Sequence, residues 1–201
     1  VSEGQIFVLS GPPGAGKSTV RRRVLAARPE LDYSVSFTSR PPRPGETDGE
    51  DYRFVSREEF LRRHGRGEFA EYNEIFGNLY GTSRKALERS LAQGRDLLLD
   101  IDVDGAARLK MRFPQGVFIF LLPPSRAELE RRLRGRGTES EEQVQDRLAR
   151  VAYELGAARG YTHLVFNDDL EATVEGVAAI IRAEGLRSRL EPDRLLEMFG
   201  F

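Results

Sequence analysis

Residues 6–20, IFVLSGPPGAGKSTV, set an unalternating apolar run, a glycine-rich loop and a helix-forming stretch in immediate succession. The loop, Gly11 to Ser18, matches G-x-x-x-x-G-K-[ST] in full and stands where the motif must stand, after a strand and before a helix. The chemistry dictates the residue types. Glycines let backbone N–H groups turn inward around phosphate oxygens, and the helix N-terminus adds its positive end. Gly11, Pro12, Pro13, Gly14, Ala15, Gly16, Lys17, Ser18 and Thr19 are therefore the predicted cradle for the phosphates of ATP. Lys17 reaches the terminal phosphates as a point charge, and Ser18 can ligate Mg²⁺.

The rest of the chain supplies the sheet such a loop requires. DLLLDID (96–102) and VFIFLL (117–122) are also near-continuous apolar runs, the pattern of parallel strands covered on both faces. THLVF (162–166) reads as the last core strand. Helices are expected over about 17–28, 105–113, 140–159 and 169–184. Strands alternating with helices mean a parallel α/β sheet. The segment 34–95 breaks that rhythm with short, half-exposed and mainly antiparallel strands, at Val35–Phe37 and in EFAEYNEI. It also carries a capping box, Ser56 with Glu59, opening a helix to about His64, and a helix capped by Ser83 that ends at Gly94. Ser125 with Glu128 opens an arginine-rich helix that continues past a polar break, 134–142, into a second one. We expect one domain over 1–201. Its core comprises 1–33, 96–124 and 161–201, with an inserted mixed α/β subdomain at 34–95 and a helical lid at 125–160. The tail after Gly185 is expected to form a short helix from Pro192 that packs on the body.

Composition narrows the classes. A chain of 201 residues can bury a substantial core, and 39% hydrophobic with 31% charged residues is ordinary for a globular protein. The net charge of −1 offers no global attraction to nucleic acid or an anionic membrane. Cysteine is absent, which excludes disulfides and thiolate metal sites. No leader pattern opens the sequence, and no apolar run approaches the ~18 residues of a membrane span. A soluble cytoplasmic protein, monomeric or homodimeric, is expected.

A second anion site is written into TSRPPRPGETDGEDYRF (38–54). Pro41 and Pro42 hold the chain near polyproline II, whose three-residue turn puts Arg40 and Arg43 on one face, about 9 Å apart at ~3.1 Å per residue. Two arginine forks at that spacing can converge on one phosphate. Tyr52 and Tyr80 can add neutral hydroxyl donors. The same RPPRP also reads as an SH3 ligand or a solvated charge run, but it lies inside a patterned domain rather than in a tail. Asp100 closes the strand LLLD, where an acidic partner of Mg²⁺ sits in nucleotide-binding sheets; its alternative is a solvated strand end.

With these residues in place, the chain resembles the guanylate kinase family from about residue 5 to residue 185. The likeness rests on GPPGAGKST, SVSFTSRPPRPGETDGEDYRFVS, FAEYNEIFGNLYGTS, LLLDIDVDG, RLRGRGTESEE and FNDDL, in family order and spacing. The resemblance implies that Arg40, Arg43, Tyr52 and Tyr80 hold the phosphate of GMP. It implies that Glu71 and Asp102 read the guanine edge, with the hydroxyls of Ser36 and Thr82 nearby. Arg136, Arg147 and Arg132 would come from the lid, and Asn167 would lie near the adenine of ATP. Read without the resemblance, Glu71 is a solvent-facing residue of an alternating strand.

The reaction implied is ATP + GMP ⇌ ADP + GDP, with dGMP as a further acceptor and Mg²⁺ as cofactor. A phosphate monoester is largely ionised at neutral pH, so no general base is required, and His64 and His163 lie in no motif. Two rivals stay open: a guanylate-kinase-like module that binds protein partners without catalysis, and a P-loop kinase for another nucleoside monophosphate. Gly94, Gly135, Gly137 and Gly160 are candidate hinges.

Overall fold

The computed structural model describes residues 4–134 and 141–186, together with Leu196, Phe199 and Gly200. The tail expectation and Arg136, Gly135 and Gly137 lie outside the described residues or at their margin.

The three apolar runs become the centre of a five-stranded parallel sheet of order β2-β7-β1-β8-β9. Its strands are β1 (Ile6–Ser10), β2 (Asp32–Tyr33), β7 (Leu97–Asp100), β8 (Val117–Leu122) and β9 (His163–Phe166). β1 pairs with β7 through Val8↔Leu99 and with β8 through Leu9↔Ile119. Its side chains alternate between two cores, which is why the run does not alternate in polarity. Phe7 and Leu9 pack with Val20 and Val24 of α1 (Lys17–Ala27) and with Val174, Val177 and Ile181 of α7 (Leu170–Gly185). Ile6 and Val8 pack on the opposite face with Leu87 of α3 (Arg84–Ala92) and with Ala106 and Leu109 of α4 (Val103–Arg112).

Four details depart from the sequence reading or add to it. β2 is a two-residue edge strand without an apolar signal. β9 is an edge strand too, and Leu164 and Phe166 stay exposed on its open face. α4 starts two residues early because Asp102 caps it, accepting from the N–H groups of Asp104 and Gly105. The insertion's sheet, β4-β3-β6-β5, is antiparallel where β6 (Asn78–Ser83) pairs with β3 (Phe37–Thr38) and β5 (Phe69–Ile75), but β3 and β4 (Arg53–Phe54) run parallel, so it is not antiparallel throughout.

β5 (Phe69–Ile75) and β6 (Asn78–Ser83) form the long hairpin of that sheet. It closes on α2 (Arg57–Gly65) through Phe60, Phe69 and Leu79, with Phe60 stacked on Phe69 at 4.4 Å. Ser56 caps α2 and Ser83 caps α3, as their spacing predicts. The arginine-rich helices α5 (Arg126–Arg134) and α6 (Glu141–Ala157) share a small cluster, Leu129, Leu133, Leu148 and Val151. Among the described residues no helix is long and apolar enough to cross a membrane.

Candidate active site

One cleft of about 1130 Å³ runs from the carboxyl ends of the core strands to the insertion's sheet. In an open parallel sheet this crevice is the expected ligand site, because loops diverge there and helix N-termini point in. The phosphate loop, Arg40, Arg43, Tyr52, Glu71, Tyr80, Asp100, Asp102 and Arg147 all line it.

The loop leaves the central strand at Gly11, where a Cβ would meet the Leu121 carbonyl oxygen at 2.2 Å, so a side chain there would collide with backbone. Gly16 starts α1 at φ +92, with the Asn167 amide packed where a Cβ would stand. Asn167 is buried and donates through Nδ2 to the Ala15 carbonyl at 2.7 Å. Its own carbonyl accepts from Arg132 at 3.0 Å. Asn167 and Arg132 thus brace the loop from the side, a structural task that the sequence reading did not give them. Lys17 donates to the Gly11 carbonyl at 2.6 Å, folded over the cradle it belongs to.

Opposite Lys17, burial pushes the Asp100 carboxyl up, while Lys17 and Arg21 pull against it. Ser18 is exposed to the same cleft. One hydroxyl and one carboxylate suit Mg²⁺, which keeps several waters and takes few protein ligands. Among the described residues no group of three or more His, Cys, Asp or Glu side chains that could hold a metal ion occurs.

The second anion site is assembled around a carboxylate that the sequence reading missed. Glu46 accepts from both Arg40 guanidinium nitrogens at 2.9 Å and from the Arg43 backbone N–H at 2.8 Å. Burial acts to raise Glu46, but these donors outweigh it and its carboxyl lies below the usual range. Arg40 is buried and its guanidinium lies over the Tyr52 ring, 5.3 Å from the centroid. Arg43 is exposed to the cleft. Tyr52 and Tyr80 meet edge to face at 6.0 Å. Burial, reinforced by Asp100, pushes the Tyr52 phenol up, which keeps it a neutral donor.

Glu71 overturns the solvent-facing reading. A register irregularity between Phe69 and Glu71 breaks the simple alternation, and the side chain is 6% exposed. The Thr82 hydroxyl donates to it at 2.5 Å. Burial lifts its carboxyl to about 7; the Thr82 hydrogen bond opposes the rise and Asp102 adds to it. Asp102 spends one oxygen on the α4 cap and on Asn73 Nδ2 at 3.0 Å. Ser36 is buried on the same side of the cleft.

Other residues in and around the cleft received no role from the sequence. Arg21, buried in α1, donates to Asp51 and to the Tyr33 hydroxyl at 2.6 Å each and stands 4.0 Å from Asp100. Asp104 accepts from Asn73 and Arg150 and from the Tyr153 hydroxyl. Glu154 is buried beside Arg150. Their partners lie 12 to 79 residues away or one helical turn on, so only spacing on α6 could have hinted at any of them. His64 packs on Tyr72 and His163 contacts Thr162.

A phosphate loop on the central strand, a lid-like helical pair above it and an arginine pocket on an inserted sheet define the class of P-loop nucleotide kinases. The guanylate kinase family model matches residues 3–184. A guanylate kinase of Geobacter sulfurreducens is 46% identical, covering 98% of each chain, and one of Syntrophus aciditrophicus is 48% identical over 93% of this chain and 90% of its own. The crystal structure of guanylate kinase from Anaplasma phagocytophilum superposes with a TM-score of 0.82 at 37% identity, covering 98% of this chain and 95% of that one. The chain belongs to the guanylate kinase family.

Proposed function

We propose that this chain transfers the γ-phosphoryl group of ATP in line to GMP, and to dGMP, in the cytoplasm. The observation that carries the acceptor assignment is the buried Glu71 carboxylate, held by Thr82 beside Asp102 in the same cleft as the phosphate loop. Guanine presents N1–H and N2–H₂ side by side, and a carboxylate accepts from both. Adenine lacks that pair, and a site built to hydrogen-bond its substrate rejects the unpaired analogue by roughly 10⁴–10⁵.

Each residue then has a task. Arg40 and Arg43, with the Tyr52 and Tyr80 hydroxyls, hold the acceptor phosphate. Ser36, Thr82, Glu71 and Asp102 orient the base. The loop from Gly11 to Thr19 cradles the donor phosphates, with Lys17 over the terminal ones and Asn167 on the adenine side. Ser18 and Asp100 would hold Mg²⁺, which neutralises phosphate charge when bound. Arg132, Arg136 and Arg147 place positive charge over the transferring group. Two unit charges 4 Å apart repel by about 4 kcal/mol at an effective dielectric near 20, so the arginine density answers the problem of bringing two polyanions together. Regions 34–95 and 125–160 act as bodies that close on the core and exclude water.

The test is an ADP-release assay with Mg·ATP against GMP, dGMP, AMP, UMP and CMP, with Arg43→Ala and Glu71→Gln alongside. Turnover confined to guanine nucleotides and reduced at least tenfold by either change is expected. Turnover with another monophosphate discards the guanine assignment. ATP binding without turnover on any acceptor favours the protein-binding module.

A further inference from the structure

Phe76 combines three features that do not belong together in an ordinary surface turn. Among the described residues it is the one non-glycine with positive φ, at 48°, followed by Gly77 at φ 74. These two residues link the paired Ile75 and Asn78 at the end of the β5–β6 hairpin. Positive φ at both central positions is the type I′ arrangement, for which Asn-Gly is the favoured sequence. A bulky side chain in the left-handed region is strained by its own Cβ. The Phe76 ring is also 53% exposed, so no core recovers the strain.

The ring instead lines the cleft beneath α6, and the Arg147 guanidinium lies over it at 5.9 Å from the centroid, the outer reach of a cation–π contact. A bridge through α4 joins the same two elements. Asn73, on β5, donates to Asp104, which also accepts from Arg150 and Tyr153 of α6. Residues 147, 150 and 153 recur every three positions and so share one face of the helix. That face meets the hairpin directly at Phe76 and is linked to Asn73 of β5 by way of Asp104 on α4. Strain retained at an exposed position points to a task outside the hairpin itself.

We infer that Phe76 is a positioning residue: its ring is the platform that sets the Arg147 guanidinium over the cleft. The inference rests on the reading of Arg147 as a lid arginine in phosphoryl transfer. An arginine on a flat aromatic face loses rotamers before the reaction, so less ordering remains for the transition state. Phe76 acts through Arg147 and leaves the acceptor phosphate and base to other residues.

Steady-state kinetics with Mg·ATP and GMP, together with thermal melts, test this on the wild type, Phe76→Asn, Phe76→Trp, Arg147→Met and the Asn/Met double variant. Phe76→Asn is expected to melt at or above the wild type, because asparagine tolerates the turn better. Its kcat should fall roughly 3- to 30-fold with both KM values little changed. Phe76→Trp should restore most of the loss, and the double variant should be no slower than Arg147→Met. Four results overturn the inference: full kcat in Phe76→Asn; intact kcat with a raised KM for GMP; a loss that tracks a lowered melt and is not restored by Trp; or additive losses in the double variant. A wild-type chain without turnover defeats the proposed function itself and takes this inference with it, so the two failures are distinguishable.

Discussion

Burial and the proposed recognition of guanine pull Glu71 in opposite directions. A carboxylate 6% exposed resists ionisation, yet only the ionised form can accept from both guanine donors. Its folded pKa of about 7 exceeds the ordinary 4.5, so between those values the native state holds a proton that the unfolded chain has released. Stability from this group therefore declines as pH rises from about 4.5 to about 7, and Glu71→Gln should remove that slope in melts across the range. Binding runs the other way. The KM for GMP should rise as pH falls below about 7, approaching roughly tenfold per pH unit, while the KM for ATP stays flat. The GMP phosphate titrates near 6 in every variant, so the comparison is with Glu71→Gln, which should lack the added slope. A Glu71→Gln profile parallel to the wild type would separate this carboxyl from base recognition.

Helix α1 links the two proposed anion sites. Its first turn builds the phosphate cradle, and its next turn sends Arg21 and Arg22 to Asp51, one residue before Tyr52. Side-chain exposures of 5% for Arg21 and 8% for Asp51 make this a buried pair. Burial acts to raise Asp51, but Arg22, the Thr47 N–H and Arg21 together bring it to about 2. Its stabilising contribution is thus fully present above its ordinary pKa of 3.8 and lost as pH falls toward 2. Asp51→Ala strands the Arg21 guanidinium without its nearest anion. Destabilisation of about 3 kcal/mol in denaturant unfolding is expected, with a raised KM for GMP because the Tyr52 loop loses its tether. A loss below about 0.5 kcal/mol would place the pair among ordinary surface contacts. Helices α2 and α3 were legible because Ser56 and Ser83 stand three residues from the N–H groups they cap. Strand β9 was legible as a strand of the core sheet but not as its edge, because an apolar run reads alike at the centre and at the edge of a sheet.

For the molecule as a whole, the cleft lies between a core sheet, an inserted sheet and a helical pair, each with its own apolar cluster. Separate clusters let these bodies move without opening one another. Binding both nucleotides should draw them together, and small-angle scattering should show a smaller radius of gyration with ADP and GMP than without. An unchanged radius would remove closure from the mechanism.

The phosphate loop and the apolar runs of the core were readable in the chain because each is contiguous, and neighbours along the backbone impose periodicity, caps and turns. The proposed guanine and phosphate positions came from the chain only because several such segments occur together in family order. Burial of Glu71, the clamp of Glu46 on Arg40, the brace of Asn167 on Ala15 and the contact of Phe76 with Arg147 were decided by packing. They join residues up to 152 positions apart, and hydrogen bonds and desolvation depend on distance in space, which the packing of sheets and helices sets.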